Sequence, residues 1–253
     1  MAQLKDEGQL RRVINDVGPR MHLFLMAIAL YFSLIGLTSR RTAASTALKC
    51  LPIICLWLFI LQSDFKRTKI RRYKSLILIG LIFSCVGDLL LNYDLFEAGM
   101  GVFGIAQIFY ISAFGFRPLR PLVGIPLYCA GVASLAIMFE NFPPTIQKFL
   151  PIYGALLLTM CWRSLARINT FKNTTRVACG IGSVLFVISD SIIAIDMFYV
   201  PVDYAQTLIM ITYYLAQFGI ALSVVEETDS AATTKQRETT KSPYQSQNSA
   251  KRK

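Results

Sequence analysis

Residues Phe83 to Asp94, FSCVGDLLLNYD, place the carboxylate of Asp88 near the end of an apolar run that begins at Leu76. A carboxylate inside a membrane-length segment costs roughly 2.5–3.5 kcal/mol on insertion scales, so it reads as a functional residue. The pattern returns 102 residues later as FVISDSIIAID, Phe186 to Asp196. Again an aspartate sits inside an apolar run and a second follows six residues on, so Asp88 and Asp94 match Asp190 and Asp196.

The rest of the chain says what kind of run this is. Its 253 residues are 54% hydrophobic and only 16% charged, with a mean hydropathy of +0.50, outside the range of ordinary soluble domains. Apolar segments recur at about 21–37, 46–62, 75–93, 98–116, 120–139, 147–165, 177–199 and 204–225. Each is close to the roughly 20 residues that a helix needs to cross a hydrocarbon core. The expected fold is therefore all-α: a polytopic membrane protein with eight transmembrane helices filling residues 21–225. Pro52, Pro126 and Pro151 fall inside three of them, where neighbouring helices can satisfy the freed carbonyls. Residues 1–20 carry mixed charge without the order of a signal peptide and read as a retained cytoplasmic head. Residues 226–253 are rich in Ser, Thr, Lys, Gln and Glu and read as a disordered cytoplasmic tail.

The loops carry an orientation. With both termini cytoplasmic, 22 of the 26 Lys and Arg lie inside and three (Arg40, Arg41 and Lys148) lie outside, with Lys49 inside span 2. This bias is the one cytoplasmic loops show, and it accounts for the net charge of +11 without a nucleic-acid partner. The basic tract from Lys66 to Lys74 can also attract anionic lipid head groups. All six cysteines fall in apolar segments without C-x-x-C spacing and read as buried thiols. The one histidine, His22, excludes a histidine-rich metal site. Acid–base chemistry must use carboxylates, tyrosines or lysines.

Asp88 lies fourteen residues after Lys74, and Asp190 fourteen after Arg176, each about 21 Å along its helix. Both spans run inside to outside, so the spacing predicts the two carboxylates at one depth in the outer half of a ~30 Å core. The matched motifs suggest a 4+4 parallel internal repeat, which would bring spans 3 and 7 together across a central cavity. Candidate partners line the same spans. Ser84, Asp88 and Asn92 share a face of span 3; Gln107 and Tyr110 are three apart in span 4, as are Tyr214 and Gln217 in span 8, with Tyr213 adjacent. Lys49 in span 2 can pair with a carboxylate or a phosphate. Arg163 reads first as a positive-inside residue, and Asp94 and Asp196 as solvated caps. As packing alone, the tyrosines would be interfacial aromatics and the glutamines helix glue.

At these residues the chain resembles the YhhN-type transmembrane family, the lysoplasmalogenases. The resemblance covers residues 21–225 and rests on SCVGDLLL at 84–91, AQIFYISAFG at 106–115, MCWRSLAR at 160–167, LFVISDSIIA at 185–194 and ITYYLAQFGI at 211–220. It implies hydrolysis of the vinyl ether bond of a lysophospholipid substrate, releasing a fatty aldehyde and a glycerophospho-base, and an endoplasmic reticulum membrane. It implies catalytic roles for Asp88 and Asp190, and many members carry a histidine where this chain has Gln107.

The residue chemistry is compatible with that activity. A vinyl ether hydrolyses by proton transfer to its β-carbon, followed by capture of the oxocarbenium ion by water. Two carboxylates sharing an apolar pocket do not readily both ionise, so one can hold the proton while the other stays charged. Glycosidases divide two carboxylates around an oxocarbenium-like species in a similar way. The head group is expected at Lys49, Asn92 and the tyrosines, and no metal, flavin or nucleotide is required. A proton-coupled transporter of a lipid or small amphiphile would also use paired repeats with buried carboxylates and stands as the alternative.

Overall fold

A computed structural model describes residues 18, 21–34, 42–62, 68–169 and 173–225. The head and tail expected at 1–20 and 226–253 fall outside these residues, apart from Gly18. Among the described residues there are eight α-helices and no strand: α1 (Met21–Leu34), α2 (Ala43–Leu61), α3 (Thr68–Asn92), α4 (Phe96–Phe114), α5 (Pro121–Met138), α6 (Pro144–Ala166), α7 (Thr174–Phe198) and α8 (Ala205–Val225). All but α1 are long and apolar enough to cross a membrane. The expectation of a helical, multi-pass membrane protein therefore holds.

Local chemistry sets the helix ends. Thr42 and Ser45 close a reciprocal capping box at the start of α2. Pro121 and Pro144 stand in the first turns of α5 and α6, where a missing N–H costs nothing. At the far end of α7, Asp196 Oδ1 accepts the Val202 N–H at 2.9 Å, pinning the turn into α8. Asp196, expected as a solvated cap, is partly buried and bonds the backbone of that turn. Pro52, Pro126 and Pro151 all sit within continuous helices.

The helices meet through small residues and aromatic contacts. A Cβ on Gly219 would stand 2.4 Å from the Ala178 carbonyl oxygen, and one on Gly182 would stand 2.7 Å from that of Ala216. Helices α7 and α8 therefore approach backbone to backbone. Gly80 on α3 leaves room for the Tyr110 ring on α4, which a Cβ would meet at 2.3 Å. Helix α1 docks on α8 by the stacking of Phe24 on Phe218 and by a 3.1 Å bond from Gln206 Nε2 to the Tyr31 hydroxyl. Helix α5 is peripheral and packs mainly on α6.

Arg163 corrects a sequence expectation in detail. It is fully buried, and its guanidinium binds the carbonyls of Gly115 (2.7 Å), Pro118 (2.7 Å) and Leu119 (3.0 Å). The charge clamps the α4–α5 connection instead of facing water. Four cysteines (Cys50, Cys85, Cys161 and Cys179) are buried as expected, whereas Cys55 is half-buried and Cys129 exposed. The apolar surface around those two faces outward, which in a membrane protein is the lipid side.

Candidate active site

Asp88 is 3% exposed, and both its oxygens are engaged. Oδ1 lies 3.4 Å from Lys49 Nζ on α2, and Oδ2 accepts the Tyr213 hydroxyl of α8 at 2.6 Å. On the face of α3 recognised in the sequence, Asp88 and Asn92 meet α2, while Ser84 meets Tyr110 on α4. One turn beyond Asp88, Asn92 Nδ2 donates to Ser45 Oγ (3.0 Å) and Thr46 Oγ1 (2.8 Å), and one turn before it the Cys85 carbonyl lies 3.7 Å from Cys50 Sγ. These tiers hold α2 and α3 in register and bring Lys49 to Asp88. Tyr214 adds a 2.9 Å bond from its hydroxyl to the Lys49 carbonyl.

Asp190 has a different partner. Its Oδ2 accepts the hydroxyl of Tyr153 on α6. Among the described residues no cation stands within salt-bridge distance of it. The two aspartates line one cavity together with Lys49, Tyr153, Ser189 and Tyr213. Its remaining wall is apolar, with Leu91, Phe96, Met100, Phe142, Ile146 and Phe198 towards the end of the bundle where α3 turns into α4. The cavity holds about 70 Å³ of water-accessible space, enough for a few water molecules. Edge-on packing of Phe103 and Phe186 fixes the Tyr213 ring, with centroids 6.0 and 5.7 Å away.

A second polar layer lies beneath. Tyr110 donates to Gln217 Oε1 at 2.9 Å and meets Ser84 Oγ at 3.2 Å. Gln107 is fully buried, and among the described residues neither of its amide atoms finds a hydrogen-bond partner. Of the candidates read from the sequence, Asp88, Asp190, Lys49 and Tyr213 share the cavity; Tyr110, Gln107, Gln217, Tyr214 and Asn92 do not line it. Asn92 holds α2 instead of facing a ligand.

Tyr153 was missed by sequence reasoning. Its signal is depth: it lies nine residues into α6, while Asp190 lies eight from the end of the antiparallel α7. A tyrosine there is too deep for an interfacial belt. Lys49 and Tyr153 also occupy related positions, because each comes from the helix preceding the one whose aspartate it meets.

The chain as a whole has relatives of similar sequence. No solved structure is significantly similar to the chain. Lysoplasmalogenase TMEM86A of Bos taurus is 36% identical over 220 residues, covering 85% of this chain and 92% of the relative. Lysoplasmalogenase TMEM86B of Homo sapiens is 32% identical over 213 residues, covering 83% and 88%. A lysoplasmalogenase homolog of Dictyostelium discoideum is 31% identical over 194 residues, covering 61% and 64%. The YhhN family model matches residues 44–224, a stretch that holds both aspartates, Lys49, Tyr153 and Tyr213, and the chain belongs to the YhhN family.

Proposed function

We propose that the protein is a lysoplasmalogenase, an ether hydrolase that cleaves the vinyl ether bond of alkenyl-glycerophosphocholine or -ethanolamine to a fatty aldehyde and a glycerophospho-base. The observation that carries this reading is a pair of aspartates in one apolar-walled cavity with unequal partners, a lysine for Asp88 and a phenol for Asp190. The relatives' names supply the reaction, and none of those reported is named a transporter.

The unequal partners divide the labour. A carboxylate beside an ammonium is favoured as the ion, whereas a carboxyl in an apolar pocket without a counter-ion keeps its proton. In this mechanism Asp190 gives its proton to the β-carbon of the vinyl ether, and the ether oxygen shares the positive charge as an oxocarbenium ion. Ionised Asp88 faces that cation and stabilises it electrostatically. Water adds to the oxocarbenium carbon and returns a proton to Asp190, giving a hemiacetal. The hemiacetal collapses as its hydroxyl proton leaves and the glycerol oxygen is protonated, so the sum is one water consumed and Asp190 regenerated. Tyr153 and Tyr213 orient the two carboxyl groups, and the apolar wall takes the alkenyl chain. Gln107, Tyr110, Tyr214 and Gln217 support the floor of the pocket, while Asn92 and Lys49 act on the enzyme itself and not on the head group.

The same reading makes α1 the eighth span, with both termini cytoplasmic in an endoplasmic reticulum membrane. The 22 to 3 distribution of basic residues supports the orientation. The repeated placement of Lys49–Asp88 and Tyr153–Asp190 supports two four-helix halves.

The test is hydrolysis of a lysoplasmalogen by the purified protein in heavy water, and separately in water labelled with oxygen-18, with both products analysed by mass spectrometry. The mechanism gives an aldehyde with one deuterium on its second carbon and a glycerophospho-base without water-derived oxygen. Absence of aldehyde, or labelled oxygen in the glycerol product, would overturn it.

A further inference from the structure

The opposite end of the bundle carries a second cavity, of about 470 Å³. Four arginines from four segments converge on it: Arg72 near the start of α3, Arg117 in the α4–α5 connection, Arg167 just after α6 and Arg176 in the first turn of α7. The described residues lining it include no carboxylate.

Positive-inside arginines alone would project into water. Arg167 does not: it is 8% exposed, with its guanidinium 4.9 Å from the Tyr73 ring centroid and 5.3 Å from that of Phe114. Its Nη1 donates to the Tyr73 hydroxyl at 2.7 Å, and that hydroxyl meets Ser223 Oγ at 2.7 Å. Arg176 Nη1 reaches the Arg167 carbonyl at 3.3 Å. Two inner guanidinium groups are thus fixed in place, while Arg72 and Arg117 stand exposed at the rim. Planar guanidinium groups around a concave polar space match the oxygens of a phosphate.

We propose that this cavity binds the phosphate group of a phosphate ester, at a site distinct from the aspartate pocket. Arg72 precedes Asp88 by sixteen residues of one helix, about 24 Å. In a lysophospholipid only a glycerol unit separates the ether from the phosphate, so a molecule reacting at the aspartates cannot reach the arginines with its own phosphate. The occupant is a second molecule. An acidic lipid of the facing leaflet and a soluble phosphate ester both carry the required group.

The full chain in detergent is titrated by native mass spectrometry with phosphatidic acid and, separately, with glycerol 3-phosphate, against phosphatidylcholine as reference. Saturable binding of one equivalent of either ester is expected, weakened about tenfold by Arg72→Gln and likewise by Arg117→Gln, as loss of one charged hydrogen-bonding partner implies. Arg71→Gln removes the same charge from the adjacent exposed residue, which does not line the cavity, and leaves affinity unchanged. The arm that binds identifies the source as lipid or soluble ester. Equal weakening by Arg71→Gln and Arg72→Gln would reduce the effect to general surface charge and overturn the site, as would no saturable binding of either ester.

Discussion

Replacing Lys49 with Met removes the ammonium that faces Asp88 and leaves the rest of the pocket in place. At 3.4 Å and an effective dielectric constant of about 20, the pair's attraction is worth about 5 kcal/mol. Breaking a buried pair by deleting one partner typically costs about 3–5 kcal/mol, because the remaining charge is stranded. With about 2–4 °C per kcal/mol for a chain of this size, Lys49→Met should lower the unfolding midpoint in detergent by about 6–20 °C. The double variant Lys49→Met/Asp88→Asn removes both charges, and the amide oxygen of the new side chain can still accept the Tyr213 hydroxyl. It should recover most of the lost stability while remaining inactive. Activity of Lys49→Met should fall by about 10²–10³, the scale of one preorganised electrostatic contact. A wild-type midpoint for Lys49→Met, or a double variant no more stable than the single one, would refute the pairing as the organising contact of the site.

Tyr153→Phe and Tyr213→Phe each delete a hydrogen bond to a carboxyl oxygen. Each should cost about 1.5–3 kcal/mol of that interaction, read as a roughly ten- to hundredfold loss of kcat with little change in KM. Gly219→Ala puts a Cβ where the Ala178 carbonyl oxygen is 2.4 Å away, so α7 and α8 must separate; overpacking of this kind costs about 1–3 kcal/mol, seen as a lower unfolding midpoint together with reduced activity, since Tyr213 and Asp190 ride on those helices. Arg163→Met removes the shared donor of three carbonyls of the α4–α5 connection and should destabilise by about 1.5–3 kcal/mol, while the folded fraction retains its specific activity because the aspartate cavity does not include it.

The two aspartates were legible in the sequence because charge inside an apolar run has no packing explanation, and their repetition linked them across half the chain. Helix positions were legible for the same reason: hydrocarbon thickness sets the length of each run, and the structure keeps every segment to within a few residues at most ends. Helix α3 starts earlier than its apolar run, at Thr68, because its first turns are basic and polarity hides them from a hydropathy reading. The partners were harder. Lys49 was visible as a charge in span 2, but only the α2–α3 register set by Asn92, Ser45 and Thr46 delivers it to Asp88. Tyr153 offered only its depth in α6 as a signal, and its role depends on the antiparallel pairing of α6 with α7. Arg163 had the opposite problem: it matched a known rule for loop charges so well that its burial against three carbonyls was hidden.

The central claim is that the Asp88–Asp190 cavity hydrolyses a vinyl ether. The direct measurement is aldehyde release from a lysoplasmalogen by the purified protein, with Asp88→Asn and Asp190→Asn confirmed as folded by their unfolding midpoints. The account predicts release by the parent protein and none above background by either variant. Release undiminished by Asp88→Asn and Asp190→Asn, or no release by the folded parent, would contradict it.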